Sequence, residues 1–132
     1  MKTIKQVQTF NAPPAELYEW FMNSKKHSQF TGAVAKIGQK VGAKFSAWNG
    51  YIAGTNTKLI PGKLIEQSWR GGDWAKGAYS KATFKFSAAG KGKTKLHFSQ
   101  TGVPDQNYKS IKQGWADYYW QPLKATLKKL EK

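Results

Sequence analysis

The chain has no cysteine. Disulfide stapling and thiolate chemistry are therefore excluded, and stability has to come from a packed core. Acidic residues are scarce, with seven Asp plus Glu against 22 Lys plus Arg and a net charge of +15. Arginine is rarer still, since Arg70 is the single guanidinium among those 22 cations. Arginine makes the bidentate contacts that read phosphates and base edges, whereas lysine is a hydrated point charge. The imbalance thus favours a solvated lysine surface and argues against nucleic acid. It still attracts anionic partners, over a range of about 8 Å at physiological salt. No stretch approaches the roughly 18 consecutive apolar residues of a membrane span. The N-terminal MKTIKQVQTFNAPP alternates polar and apolar residues, which reads as a strand and not as a signal peptide. These absences predict a cytoplasmic protein without membrane insertion.

What is present is aromatic surface, at 14% of a 132-residue chain. That length is enough for one domain, 1–132, with its own core. Residues 3–10 read as a strand. Pro14 suits a first helical position and Glu16 a helix N-terminus, and Leu17 and Phe21 give 14–22 an apolar stripe. A second short helix is expected over about 24–30, ending at Thr31-Gly32. Asn49-Gly50 signals a hairpin and Pro61-Gly62 a type II turn. In 43–48 the alternation is too weak to assign an inward face. Further on it is clear: Ile65 and Trp69 share a face, Ala82, Phe84 and Phe86 oppose Lys81, Thr83 and Lys85, and Leu96 and Phe98 alternate with Lys95, His97 and Ser99.

From Tyr108 the period returns to 3.6. Tyr108, Ile111, Trp115, Tyr118, Tyr119, Leu123, Leu127 and Leu130 form one stripe, with Trp120 at its shoulder and Gln113, Asp117, Gln121, Lys124 and Lys128 opposite. A long C-terminal helix follows, bent near Pro122 where a backbone donor is missing. The fold class is α+β: a curved antiparallel sheet wrapped around that helix, with two short helices after the first strand.

This order resembles the helix-grip fold of the START-like superfamily. The segments FNAPPAELYEWF (10–21), HSQFTG (27–32), VGAKFSAWNGYIAGTNTKLIPGKLIEQSWR (41–70) and TGVPDQNYKSIKQGWADYYWQPLK (101–124) resemble the activator of heat shock protein 90 ATPase homologue family over nearly the whole chain. The resemblance is to the C-terminal domain of the co-chaperone, standing alone without the Asn/Trp-rich N-terminal domain. It implies an apolar small molecule held between helix and sheet; the lysine surface, where it forms one patch, is read separately as docking an acidic partner such as a chaperone.

The candidate ligand-cavity residues are Trp48, Trp69, Trp74, Phe84, Phe98, Trp115 and Tyr119. Rings of this kind either wall a pocket or fill the core against one another, and both outcomes stay open at the level of sequence. Arg70 and Asp73 either grip a polar ligand group or pair across their own turn, with the turn favoured. His27 and His97 have no metal-ligand spacing, and the carboxylates form no pair, so neither a metal, a cofactor nor a catalytic set is nominated. The expected module is non-catalytic; the superfamily resemblance keeps a cyclase- or hydrolase-like enzyme, using one isolated buried acid, as the lesser alternative. The lysine clusters are Lys25/Lys26, Lys91/Lys93/Lys95 and Lys124/Lys128/Lys129/Lys132.

Overall fold

Seven strands form one antiparallel sheet in the order β1-β7-β6-β5-β4-β3-β2. The computed structural model describes residues 1–130 of the chain, so Glu131 and Lys132 lie outside the described residues. The strands are β1 Lys2–Phe10, β2 Lys36–Ile37, β3 Lys44–Ala47, β4 Ile52–Ile60, β5 Leu64–Gly71, β6 Ser80–Ala88 and β7 Thr94–Val103. Helices α1 (Pro14–Met22) and α2 (Ser24–Thr31) sit between β1 and β2. The C-terminal helix runs through α3 (Tyr108–Trp115), a π turn (Ala116–Trp120) and α4 (Gln121–Leu130). A curved antiparallel sheet gripping a long terminal helix is the α+β architecture the sequence predicts. Helix α1 begins at Pro14 as its fixed φ favours. Helix α2 ends on Gly32 at φ 75°, a left-handed cap that glycine adopts without strain.

The sheet has one dry and one wet face. On β6 and β7, Ala82, Phe84, Phe86, Leu96 and Phe98 are buried while Lys81, Lys85, Lys95 and His97 are exposed. The structure also supplies the inward face of β3, which carries Phe45 and Ala47. Gly54 pairs with Phe45 on one side and Trp69 on the other. A side chain there would run into the Ser68 carbonyl oxygen, so this glycine lets the sheet bend between two inward rings. Polar side chains also line the dry face. The register sets Asn56, Gln67, Ala82 and Gln100 side by side across four strands. All three amides are buried and hydrogen-bonded.

The helix stripe is realised with one change of phase, and its last residue, Leu130, is exposed. Ile111, Trp115, Tyr119, Leu123 and Leu127 are buried, but Tyr118 is 54% exposed and Trp120 only 2%. The expected positions of those two residues are therefore reversed. The cause is the π turn: the Gln121 amide donates to the Ala116 carbonyl, five residues back. The wider turn advances the helix face and carries Trp120 inward. Its indole donates to Gln6 Oε1 on β1 at 2.7 Å. The irregularity lies in the turn directly before Pro122, whose ring supplies no backbone donor.

Candidate functional site

Trp115 is the hub of the interface between helix and sheet. Its ring lies 4.4 Å from Phe98, 5.6 Å from Trp69, 4.8 Å from Tyr119 and 5.4 Å from Trp120, the last pair stacked. Its indole donates to Gln100 Oε1 at 2.8 Å; Gln100 Nε2 donates to Ser80 Oγ, which donates to the Trp69 carbonyl. One continuous chain thus ties the helix to β7, β6 and β5. The Trp115, Gln100 and Ser80 side chains along it are all hydrogen-bonded, as burial favours.

Toward the β3–β4 end of the sheet the packing opens. A cavity of about 360 Å³ lies between the hairpin that joins β3 to β4 and the first half of the C-terminal helix. Trp48, Tyr51 and Ile52 wall it from the hairpin and Trp69 from β5. The helix contributes Ser110, Ile111, Gly114, Trp115, Tyr118 and Tyr119. Gly114 matters because a side chain on this inner turn would project from the wall. Across the mouth, Trp48 and Tyr118 meet edge to face at 5.0 Å. Trp48 reaches that position from a left-handed backbone, φ 52°, followed by Asn49 at 56° and Gly50 at 90°. A left-handed conformation is unfavourable for a bulky aromatic residue, and such strain concentrates at functional positions.

Of the candidate cavity residues, the structure brings Trp48, Trp69, Trp115 and Tyr119 together around this space. Trp74, Phe84 and Phe98 do not line it. Trp74 packs behind Trp69 at 5.5 Å, held by the loop after β5. Phe84 and Phe98 are neighbours at 5.0 Å under Trp115, and Phe84 lines the small void behind the cavity. Close packing fills most of the middle of the groove, and the ring-walled space lies toward one end. Tyr51, Ile52, Ser110 and Ile111 were not legible as wall residues. The Asn49-Gly50 turn signal was the one hint that the adjacent aromatics, Trp48 and Tyr51, sit at a hairpin tip.

Behind the large cavity is a void of about 20 Å³, and Trp69, Trp115 and Tyr119 line both spaces. Here the walls turn polar, with His27 and Gln67. His27 Nε2 lies 2.9 Å from Tyr119 Oη, and His27 Nδ1 is 3.2 Å from the Phe21 carbonyl oxygen. Because a carbonyl only accepts, Nδ1 carries the proton and Nε2 accepts from the tyrosine. Burial pushes the His27 pKa down to about 4 and the Tyr119 pKa upward, so both are neutral at pH 7.

Arg70 and Asp73 do not pair with each other. Arg70 donates to the Trp74 and Ala75 carbonyls, clamping its own turn, while Asp73 accepts from Tyr51 Oη at 2.6 Å. Burial, then the Asp73 contact, pushes the Tyr51 pKa up to about 12. The side chains around the large cavity therefore offer phenols, indoles and one hydroxyl, without a carboxylate, imidazole or amine. Among the described residues no three His, Cys, Asp or Glu gather as a metal site. Nor is any helix there long and apolar enough to cross a membrane.

Comparison with known proteins agrees with this architecture. The protein is similar to the activator of 90 kDa heat shock protein ATPase homolog of Dictyostelium discoideum, 35% identical over 125 residues that make up 95% of this chain and 33% of the relative. It is 33% identical over 119 residues to homolog 1 of Homo sapiens, covering 90% of this chain and 35% of that protein. The chain thus spans about a third of the length of these relatives. A crystal structure from Plasmodium falciparum, described as an HSP90 activator, superimposes with a TM-score of 0.89 at 24% identity, covering 96% of each chain. The profile described as activator of Hsp90 ATPase homolog 1-like protein matches residues 11–128, and the chain belongs to that family.

Proposed function

We propose that this domain is a non-catalytic binding module that holds an uncharged, apolar small molecule between the β3–β4 hairpin and the C-terminal helix. The observation that carries this reading is the 360 Å³ cavity walled by rigid rings. Its volume lies near the lower end of the range for small-molecule sites, about 300–1,000 Å³. The strained Trp48 backbone at its mouth supports a functional origin for the space. The absence of an acid, base or amine from the lining favours binding over catalysis.

The test fills the cavity without cutting into the core. Trp69 and Trp115 are unsuitable, because truncating rings this buried costs about 3–5 kcal/mol. Gly114→Leu instead adds bulk on the wall. A two-dimensional NMR titration with 2-methoxynaphthalene should shift the Trp48 and Trp69 indole signals in the native protein. In Gly114→Leu the affinity should fall at least tenfold with no loss of thermal stability. Shifts that are absent, or equal in both proteins, would remove the proposal.

A second reading concerns the wet face of the sheet. Lys81, Lys85 and Lys95 stand exposed on adjacent strands, on the side opposite the helices. The relatives are named for activation of an Hsp90 ATPase, and an acidic chaperone surface complements this face. Binding to a purified Hsp90-type chaperone should weaken steeply from 50 to 300 mM salt and further in a Lys81→Glu/Lys85→Glu double variant. No binding at low salt would eliminate the interaction.

A further inference from the structure

The void behind the cavity has a polarity that two hydrogen-bond chains dictate, and each chain ends on backbone carbonyls. In the first, the Phe21 carbonyl accepts from His27 Nδ1, so His27 Nε2 must accept from Tyr119 Oη. The tyrosine proton is committed, and what its oxygen retains is acceptor capacity. In the second, the Gly38 and Lys40 carbonyls accept from Asn56 Nδ2 at 2.6 and 3.2 Å. That orientation turns Asn56 Oδ1 toward Gln67 Nε2, which donates to it at 3.1 Å. Flipping either amide would set oxygen against oxygen, so the Gln67 carbonyl oxygen is the atom left for the other side. His27, Gln67 and Tyr119 are all more than nine-tenths buried, and Asn56 is fully buried. The Trp115 indole, a further donor on this wall, is already spent on Gln100.

Two acceptors, Tyr119 Oη and Gln67 Oε1, thus belong to a space of about 20 Å³ that shares a wall with the large cavity. Such a space admits one oxygen-sized group. Its lining contains no carboxylate to balance a cation, which disfavours an ammonium. We propose that the void is a donor-selecting subsite that receives a neutral hydroxyl carried by the pocket ligand, so that the domain prefers hydroxylated ring compounds over their ethers and hydrocarbons. This rests on the pocket reading above and adds the chemistry by which the pocket selects. The ligand's apolar ring stays in the large cavity, and its hydroxyl crosses the wall formed by Trp69, Trp115 and Tyr119 to donate to the buried oxygens. The rings of the large cavity alone would give no such preference, because an aromatic wall binds an ether as well as a phenol.

The experiment compares 2-naphthol with 2-methoxynaphthalene at pH 7 by NMR titration of the native protein, Gln67→Met and Tyr119→Phe. The native protein should bind the naphthol about tenfold more tightly. It should also show a shift of the Gln67 side-chain amide signal with the naphthol and not with the ether. Each variant should reduce the naphthol-to-ether preference to threefold or less, read as the ratio of the two affinities within that variant. Equal affinity of the two probes for the native protein would overturn the subsite and leave the pocket standing. A preference that survives both substitutions would overturn it as well. If neither probe binds, the pocket reading fails and the subsite falls with it. Should a variant not fold, the native affinity ratio and the Gln67 amide signal still decide the matter.

Discussion

Trp115, on the C-terminal helix, donates its indole proton to Gln100 on β7 at 2.8 Å, and both side chains are buried. This bond fixes how far the helix descends into the sheet, because Gln100 is itself held by Ser80. Gln100→Leu keeps the volume but leaves the indole donor buried without a partner. We expect a loss of about 1–3 kcal/mol, read from urea unfolding. An unchanged midpoint would show that the chain of hydrogen bonds does not position the helix.

The His27–Tyr119 pair predicts a pH dependence of stability. The His27 pKa is about 4 in the fold against an ordinary 6.5. Between those values the unfolded chain binds the extra proton, so stability rises with pH there. His27's contribution is fully present above about pH 6.5 and is lost as pH falls toward 4, a change on the order of 3 kcal/mol. His27→Gln should be less stable at pH 7 but show a flatter profile from pH 6.5 to 4.5. Parallel profiles for the two proteins would contradict the neutral, buried imidazole.

Gly114 and Gly54 should respond in opposite senses to alanine. At Gly114, inside a helix, a new Cβ would meet the Tyr118 ring at an ordinary 3.6 Å. Gly114→Ala should stabilise the protein by about 0.5–1 kcal/mol, visible as a higher melting temperature.

Gly54 has no such freedom. A Cβ there meets the Ser68 carbonyl and lies 2.8 Å from the Phe45 ring. Gly54→Ala should cost about 1–3 kcal/mol or more and disturb the pairing of β4 with β5. Amide hydrogen exchange at Thr55 and Trp69 would report that opening. Protection equal to the native protein would show that the strands can absorb the methyl group.

The sequence announced its local structure well where short-range chemistry acts alone. Pro14 opens α1, Gly32 caps α2, and the alternation along β6 and β7 sorts lysines from rings. It misled where one element's phase depends on an irregular turn: nothing in ADYYW distinguishes a π turn from an α turn by periodicity, so Tyr118 and Trp120 exchange faces. The candidate site was legible in part. Trp48, Trp69, Trp115 and Tyr119 share the cavity, while Phe84 lines the small void behind it and Trp74 and Phe98 pack against Trp69 and Trp115 from outside it.

The sequence by itself determined the layers: which strands alternate, which helix carries a wide apolar face, and therefore that a sheet must close over a helix. Those features follow from periods of two and 3.6 residues, which act along a few turns of chain. The tertiary structure decided where space remains and which way its hydrogen bonds point. His27 and Tyr119 are 92 residues apart in the chain and 2.9 Å apart in the fold. A void is the small remainder left when many side chains from distant segments pack together, and no local pattern carries that remainder.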